Sequence, residues 1–100
     1  MRPAIYKMAS QRNGTSYVGV TSNLLGRIIQ HREGTFGGFT DRHEVKRLVW
    51  YDTADTMAAA IMSEKRLKRW RRDWKIELIE RDNPLWHDLG PAIGLPPLRG

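Results

Sequence analysis

A carboxylate stands in the middle of an apolar helical stripe. At about 100° per residue, Met57, Ala60, Ile61 and Leu67 all project within roughly 60° of Glu64. Burying an unpaired carboxylate costs several kcal/mol, so Glu64 must meet a cation, a metal ion or the floor of a cleft. A salt bridge to an arginine at the core edge would satisfy it as well as a functional partner would. An earlier segment carries the same irregularity: Leu24, Arg27, Ile28 and His31 follow the i, i+3, i+4, i+7 pattern, which puts an arginine and a histidine along a buried face. Near the N-terminus two phenols, Tyr6 and Tyr17, flank a polar turn that contains Asn13-Gly14. These residue types can hold a divalent ion, clamp an oxyanion and move a proton.

The elements that must position them are legible in outline. Ile5 to Met8 and Ser16 to Thr21 are rich in β-branched and aromatic residues, and the turn signal between them predicts a hairpin with a loop longer than the tightest type. Thr21-Ser22-Asn23 supplies N-cap candidates for a helix that runs to about Glu33, where Gly34 is placed to end it. Residues 34–45 carry three glycines and no period, which predicts a mobile loop. Lys46 to Asp52 contains the run LVWY and reads as a third, central strand. From Thr53 or Asp55 the stretch TMAAAIMSEKRLKRW is strongly helix-forming. In residues 73–81, Trp74, Ile76 and Leu78 alternate as in a strand while Trp74 and Leu78 pair at helical spacing, and periodicity leaves the element open. The segment from Gly90 has three prolines and three glycines and is expected to be extended or disordered.

Composition narrows the partners. One hundred residues, 40% hydrophobic and 28% charged, make one folded domain. Seventeen Lys and Arg against eleven Asp and Glu give a net charge of +6, a field that attracts polyanions and makes nucleic acid the first partner to test. The absence of cysteine excludes disulfides and thiolate metal sites. No apolar run approaches membrane-spanning length and the N-terminus lacks a signal-peptide core, so a cytoplasmic protein without a membrane partner is expected.

Taken in order, Ile5-Tyr6, Tyr17-Val18-Gly19, Arg27, His31, Glu64 and Asn83 resemble the GIY-YIG endonuclease superfamily, and its small stand-alone bacterial members above all, whose later half reads much like SEKRLKRWRRDWKIELIERDNPLWHDL. The likeness runs from about residue 3 to Leu89, so residues 1–89 are assigned to the nuclease-like domain and 90–100 to a Pro/Gly-rich flexible tail. Ala4 stands where the family name has glycine, and Val18 where it has isoleucine. The resemblance implies an α+β fold, a three-stranded antiparallel sheet flanked by helices, and a helical 73–81. It also implies that Tyr6, Tyr17, Arg27, His31 and Glu64 converge around one phosphate as catalytic residues of a metal-dependent DNA endonuclease of repair or recombination. Glu64 would ligate Mg²⁺ or Mn²⁺, which accept one protein carboxylate and keep several waters. Arg27 would hold the non-bridging oxygens. Family mechanisms usually give the base role to the first-motif tyrosine, here Tyr6. An unperturbed phenol is ionised in only about one molecule in a thousand at pH 7, so His31, with an ordinary value near 6.5, competes for that role. Asn83 matches an asparagine near the family's site, or simply stops a helix before Pro84.

Other residues qualify by position. In the basic run KRLKRWRR, Lys68 and Arg71 project on the side of Glu64 and are candidates to grip a nucleic-acid backbone, with Arg42 in the glycine-rich loop as a clamp. His31, His43 and His87 lack zinc spacing, and GTSYVGVTS lacks the lysine of a P-loop. Most of Trp50, Trp70, Trp74 and Trp86 are expected in the core rather than stacked on bases. The rival reading is a non-catalytic nucleic-acid-binding module of the same fold. With no separate DNA-reading domain in sight, a protein partner that supplies target recognition to a monomeric nuclease is a third.

Overall fold

The computed structural model describes residues 2–34, 38 and 42–98. Two strands, β1 (Ala4–Ala9) and β2 (Ser16–Thr21), form the hairpin, closed by Ser10 N–H to Thr15 O at 2.9 Å and Gly14 N–H to Gln11 O at 3.0 Å. Asn13 takes the left-handed position of that turn at φ 57°, a conformation asparagine tolerates better than most side chains. Helix α1 (Leu24–Glu33) begins where the Asn23 side chain accepts from Gly26 N–H at 3.1 Å and ends at Gly34, φ 75°. Strand β3 (Arg47–Thr53) pairs with the other edge of β1, both pairings antiparallel, giving the order β2-β1-β3. Helices α2 (Met57–Arg69) and α3 (Arg72–Glu80) follow, so the α+β class and the helical character of 73–81 are as the resemblance implied.

The central strand is β1, not β3. All six residues of β1 are buried, whereas β3 becomes exposed at Asp52 and Thr53. The apolar run LVWY suggested a strand covered on both faces, and Lys7 in the middle of β1 disguised the one that is. A bulge in β3 adds to the irregularity: Lys7 pairs with Trp50 and Met8 with Leu48, so Val49 is the extra residue.

Strand alternation sends side chains into two separate cores. On one face Tyr6, Met8, Ile28, Val45 and Leu48 pack beneath α1. Through the sheet, Ile5 packs with Ala60 and Leu67 of α2, and Ala9 and Val49 pack with Ile79 of α3 and Trp86. The C-terminal segment as far as Leu95 also packs on the first core, where an extended or disordered stretch from Gly90 was expected, and residues 99 and 100 lie outside the described residues. Leu89, Ile93 and Leu95 pack against that cluster, Gly90–Ile93 form a 3₁₀ turn, and Leu89 N–H donates to Leu48 O at 2.7 Å. Arg32 pins the segment by pairing with Asp88 and by donating to Pro96 O at 2.9 Å. The prolines and glycines frame this docked turn rather than dissolving it. The tip of the glycine-rich loop, residues 35–37 and 39–41, lies outside the described residues, and the expectation of mobility falls there.

Candidate active site

The hairpin register sets the first part of the site. Tyr6 pairs with Gly19 and Met8 with Tyr17, and directly paired residues share a face, so both tyrosines project beneath α1 on adjacent strands. Their ring centroids are 6.3 Å apart. His31, in the last turn of α1 and fully buried, completes a triangle, with its ring 5.6 Å from Tyr6 and 5.5 Å from Tyr17. Tyr6 Oη and His31 Nε2 are 2.9 Å apart, a hydrogen bond.

Gly19 makes this arrangement possible. A Cβ built there would lie 2.5 Å from Tyr6 Oη, 2.6 Å from Tyr6 Cζ and 2.9 Å from a ring carbon of Tyr17. The Tyr6 ring therefore lies over bare backbone, and a glycine inside a strand, where it costs stability, was the available signal for such a close approach. Ala4, in place of the motif glycine, sits in regular strand pairing with Thr21 and Thr53, buried and without positive φ, so alanine meets no steric obstacle there.

Electrostatics fix the protonation states. Burial pushes the Tyr6 phenol well above its ordinary value, Tyr17 adds to the rise, and the charge and hydrogen bond of half-buried Arg27 oppose it. The negative charge of Glu64 on α2 raises it further, the smallest of these effects. Burial and then the Arg27 charge push His31 down to about 4. With the phenol protonated and the imidazole neutral, Tyr6 donates to Nε2 in the Nδ1–H tautomer and accepts from it in the other, and the Arg27 side chain bonds the phenol oxygen.

Glu64 is only 15% exposed, and Lys68, one turn on, approaches it at 3.4 Å with a side chain that is itself 55% exposed. A half-exposed i,i+4 pair is weak, worth ~0.3–0.5 kcal/mol, and leaves the carboxylate available. Ile61, assigned to the same apolar stripe, is 37% exposed while Ala60 and Leu67 are buried, so Glu64 stands towards the edge of the α2 core face rather than at its centre. Among the described residues no three His, Cys, Asp or Glu side chains gather into a ready-made metal cage. A single carboxylate can still bind a hard ion that keeps several of its waters.

Other candidates fall elsewhere. Asn83 is buried, but Nδ2 donates to Val49 O at 3.1 Å and His87 O at 2.9 Å, and Oδ1 accepts from His87 N–H at 2.9 Å. Its amide pins the turn where Trp86 adopts φ 57°, the helix-stop role that the sequence also allowed. Arg71 does not share a helix with Glu64: α2 ends at Arg69, Trp70 is extended, and the guanidinium stacks over Trp74 at 4.5 Å beside Asp73. Lys68 remains next to Glu64. Arg42 is exposed, its N–H bonded to Gly38 O at 3.1 Å, and the clamp it was assigned to lies mostly outside the described residues. Of the tryptophans, Trp86 is buried, Trp50 and Trp70 pack against cores, and Trp74 is 46% exposed.

Comparison with known proteins identifies the family. The family model described as the GIY-YIG catalytic domain matches residues 2–77. A UPF0213 protein of Staphylococcus saprophyticus is 29% identical over 68 residues, covering 68% of this chain and 83% of the relative. A UPF0213 protein of Pediococcus pentosaceus is 26% identical over 70 residues, covering 70% and 74% respectively. No solved structure gives a significant match.

Proposed function

Because the chain belongs to the GIY-YIG catalytic-domain family, a nuclease-type domain, we propose that it is a divalent-metal-dependent DNA endonuclease whose catalytic residues are Tyr6, Tyr17, Arg27, His31 and Glu64. The observation that carries this reading is the Tyr6–Tyr17–His31 triangle with Arg27 bonded to Tyr6 and the Glu64 carboxylate within electrostatic reach. Arg27 clamps the non-bridging oxygens of the scissile phosphate, where negative charge grows as water attacks. A Mg²⁺ or Mn²⁺ held by Glu64 would supply positive charge for the phosphoryl and leaving oxygens.

The base is a pair. Tyr6 alone cannot serve, since its buried phenol holds its proton tightly. Its oxygen can accept a hydrogen bond from the attacking water while its own proton bonds to His31 Nε2 at 2.9 Å. As the water proton approaches Tyr6 Oη, the phenolic proton shifts towards the imidazole; because burial and Arg27 hold His31 down to about 4, the pair is a weak base and needs an attacking water made more acidic, as an ion held by Glu64 would make it. Tyr17 orders the water and the phosphate from the neighbouring strand.

A net charge of +6 supports DNA as the substrate, and a place in repair or recombination in the cytoplasm suits such a domain. Among the described residues no helix is long and apolar enough to cross a membrane. Recognition then rests on DNA structure or on a protein partner, with the nuclease itself a monomer. The test is a gel assay on supercoiled, branched and single-stranded DNA with and without Mg²⁺ or Mn²⁺, comparing the native protein with Glu64→Gln. The native protein nicks only with the ion, and the variant binds without cutting. Equal cutting by both overturns the metal role of Glu64. Salt-steep binding with no nick from either establishes a binding module instead.

A further inference from the structure

On the far side of the sheet from the tyrosine pair, β1 carries a lysine where a core residue belongs. Lys7 is 2% exposed. It pairs with Val18 and Trp50, whose side chains pack on the side of α2 and α3, so it points away from Tyr6. Its side chain lines a cavity of about 120 Å³ together with Ser16, Arg72, Lys75, Ile76 and Trp86. Among the described residues none that lines the cavity is acidic, and none makes a hydrogen bond or ion pair with the Lys7 ammonium.

The two other cations are fixed by neutral groups. Arg72 donates to Asn13 O at 3.2 Å, and Lys75 donates to Lys68 O at 3.2 Å. Backbone carbonyls orient them without cancelling their charge. Glu80, a carboxylate on the same helix, accepts from Trp86 Nε1 at 2.7 Å and does not line the cavity. Three positive charges therefore face one small space with no counter-charge, an arrangement that costs stability unless an anion enters. A methionine in place of Lys7 would fill similar volume without that cost.

We propose that this cavity is a phosphoryl-anion site, in which Lys7 at the floor and Arg72 and Lys75 at the wall take one phosphate group. The volume suits a tetrahedral oxyanion, and guanidinium and ammonium donors on different sides match its several oxygens. Burial, then Lys75 and Arg72, push the Lys7 ammonium down to about 8, which leaves it mostly charged at neutral pH and able to donate. The phosphate comes either from a nucleic-acid backbone or from a free phosphorylated small molecule. A backbone contact here would grip DNA through the sheet from the scissile phosphate, so that one domain touches its substrate on two faces. The site does not depend on the nuclease reading, because it shares no residue with the tyrosine cluster.

The test is an NMR titration of the full chain at pH 7 in EDTA, with inorganic phosphate against sodium chloride at matched ionic strength. Phosphate, and not chloride, is expected to shift the amides of Lys7, Ser16 and Ile76 saturably. Arg72→Gln, an exposed position, weakens this about tenfold or more, the loss expected for one charge-assisted hydrogen bond. Lys7→Met abolishes it, and should that variant fail to fold, Lys75→Gln takes its place with the same expected weakening as Arg72→Gln. Shifts scattered over the basic surface, or identical titrations in native and variant proteins, overturn the proposal. A short single-stranded oligonucleotide separates the two sources: competition with phosphate for the same amides identifies a polymer backbone, whereas saturation by phosphate alone identifies a free anion. If neither ligand moves these amides, there is no such site.

Discussion

Gly19→Ala should damage the tyrosine–histidine cluster, the proposed active site, more than any other single methyl group. The added Cβ meets Tyr6 Oη at 2.5 Å and Cζ at 2.6 Å, against a comfortable separation of ~3.5–4.0 Å. Tyr6 is fully buried and its ring is rigid, so the hydroxyl must retreat by about 1 Å or the two strands must part. Overpacking of this kind costs ~1–3 kcal/mol. Loss of the 2.9 Å bond to His31 adds ~1 kcal/mol. The two together come to ~2–4 kcal/mol, which for a domain of this size lowers the melting temperature by on the order of 10 °C or more. Nicking falls further than stability does, by ~10²-fold, because displacing a reacting group by about 1 Å is enough for that. Urea unfolding and a plasmid-nicking assay on the same preparation read both quantities. Gly26→Ala is the control: its Cβ meets Asn23 Nδ2 at 2.6 Å, a surface side chain that can turn away. Losing that cap costs ~1 kcal/mol, and replacing a helical glycine by alanine returns about the same. A Gly19→Ala protein within ~0.5 kcal/mol of native stability and cutting at the native rate would refute the placement of the Tyr6 hydroxyl over Gly19.

His31 predicts a pH dependence of folding. Its folded value of about 4 lies below the ordinary 6.5, so the unfolded chain takes up the proton first. Stability is complete above pH ~6.5 and falls towards pH ~4, by up to about 3 kcal/mol, and the slope flattens in His31→Gln as measured by denaturant unfolding at several pH values. Lys7 acts with the same sense at higher pH: with a folded value of about 8 against 10.5, stability rises between those limits. Lys7→Met should accordingly raise the melting temperature at pH 7 in phosphate-free buffer and lose the alkaline gain. Gly90→Ala drives a methyl group into the Arg32 guanidinium that holds Asp88 and Pro96. Hydrogen exchange at Leu89 and Leu95 should speed up in that variant, while the hairpin amides of β1 and β2 stay protected.

Local chemistry made much of this fold legible from sequence. Asn23 and Gly34 bound α1 where capping rules place them, and the alternation of Tyr6 and Tyr17 on paired strands is a consequence of the two-residue period. What sequence hid was tertiary. Lys7 is polar in type but buried in fact, so β1 did not read as the central strand. The helix break at Trp70 carries neither glycine nor proline, and a projection continued across it misplaced Arg71. Local composition from Gly90 onward favours turns, yet Leu89, Ile93 and Leu95 gain enough by covering the first core to dock the segment. Asn83 was recognisable as a residue of interest, but only its three hydrogen bonds distinguish a pinned turn from a ligand contact.

Whether the Glu64 carboxylate holds a divalent ion beside the tyrosine–histidine–arginine cluster can be read without catalysis. Mn²⁺ broadens nearby resonances steeply with distance, so an NMR spectrum recorded with a cleavage-resistant oligonucleotide and substoichiometric Mn²⁺ locates the ion. Broadening centred on Glu64 and extending to Tyr6, Tyr17 and His31, abolished in Glu64→Gln, is the result expected of the proposed nuclease. Broadening centred elsewhere on the chain, or unchanged in Glu64→Gln, would contradict it.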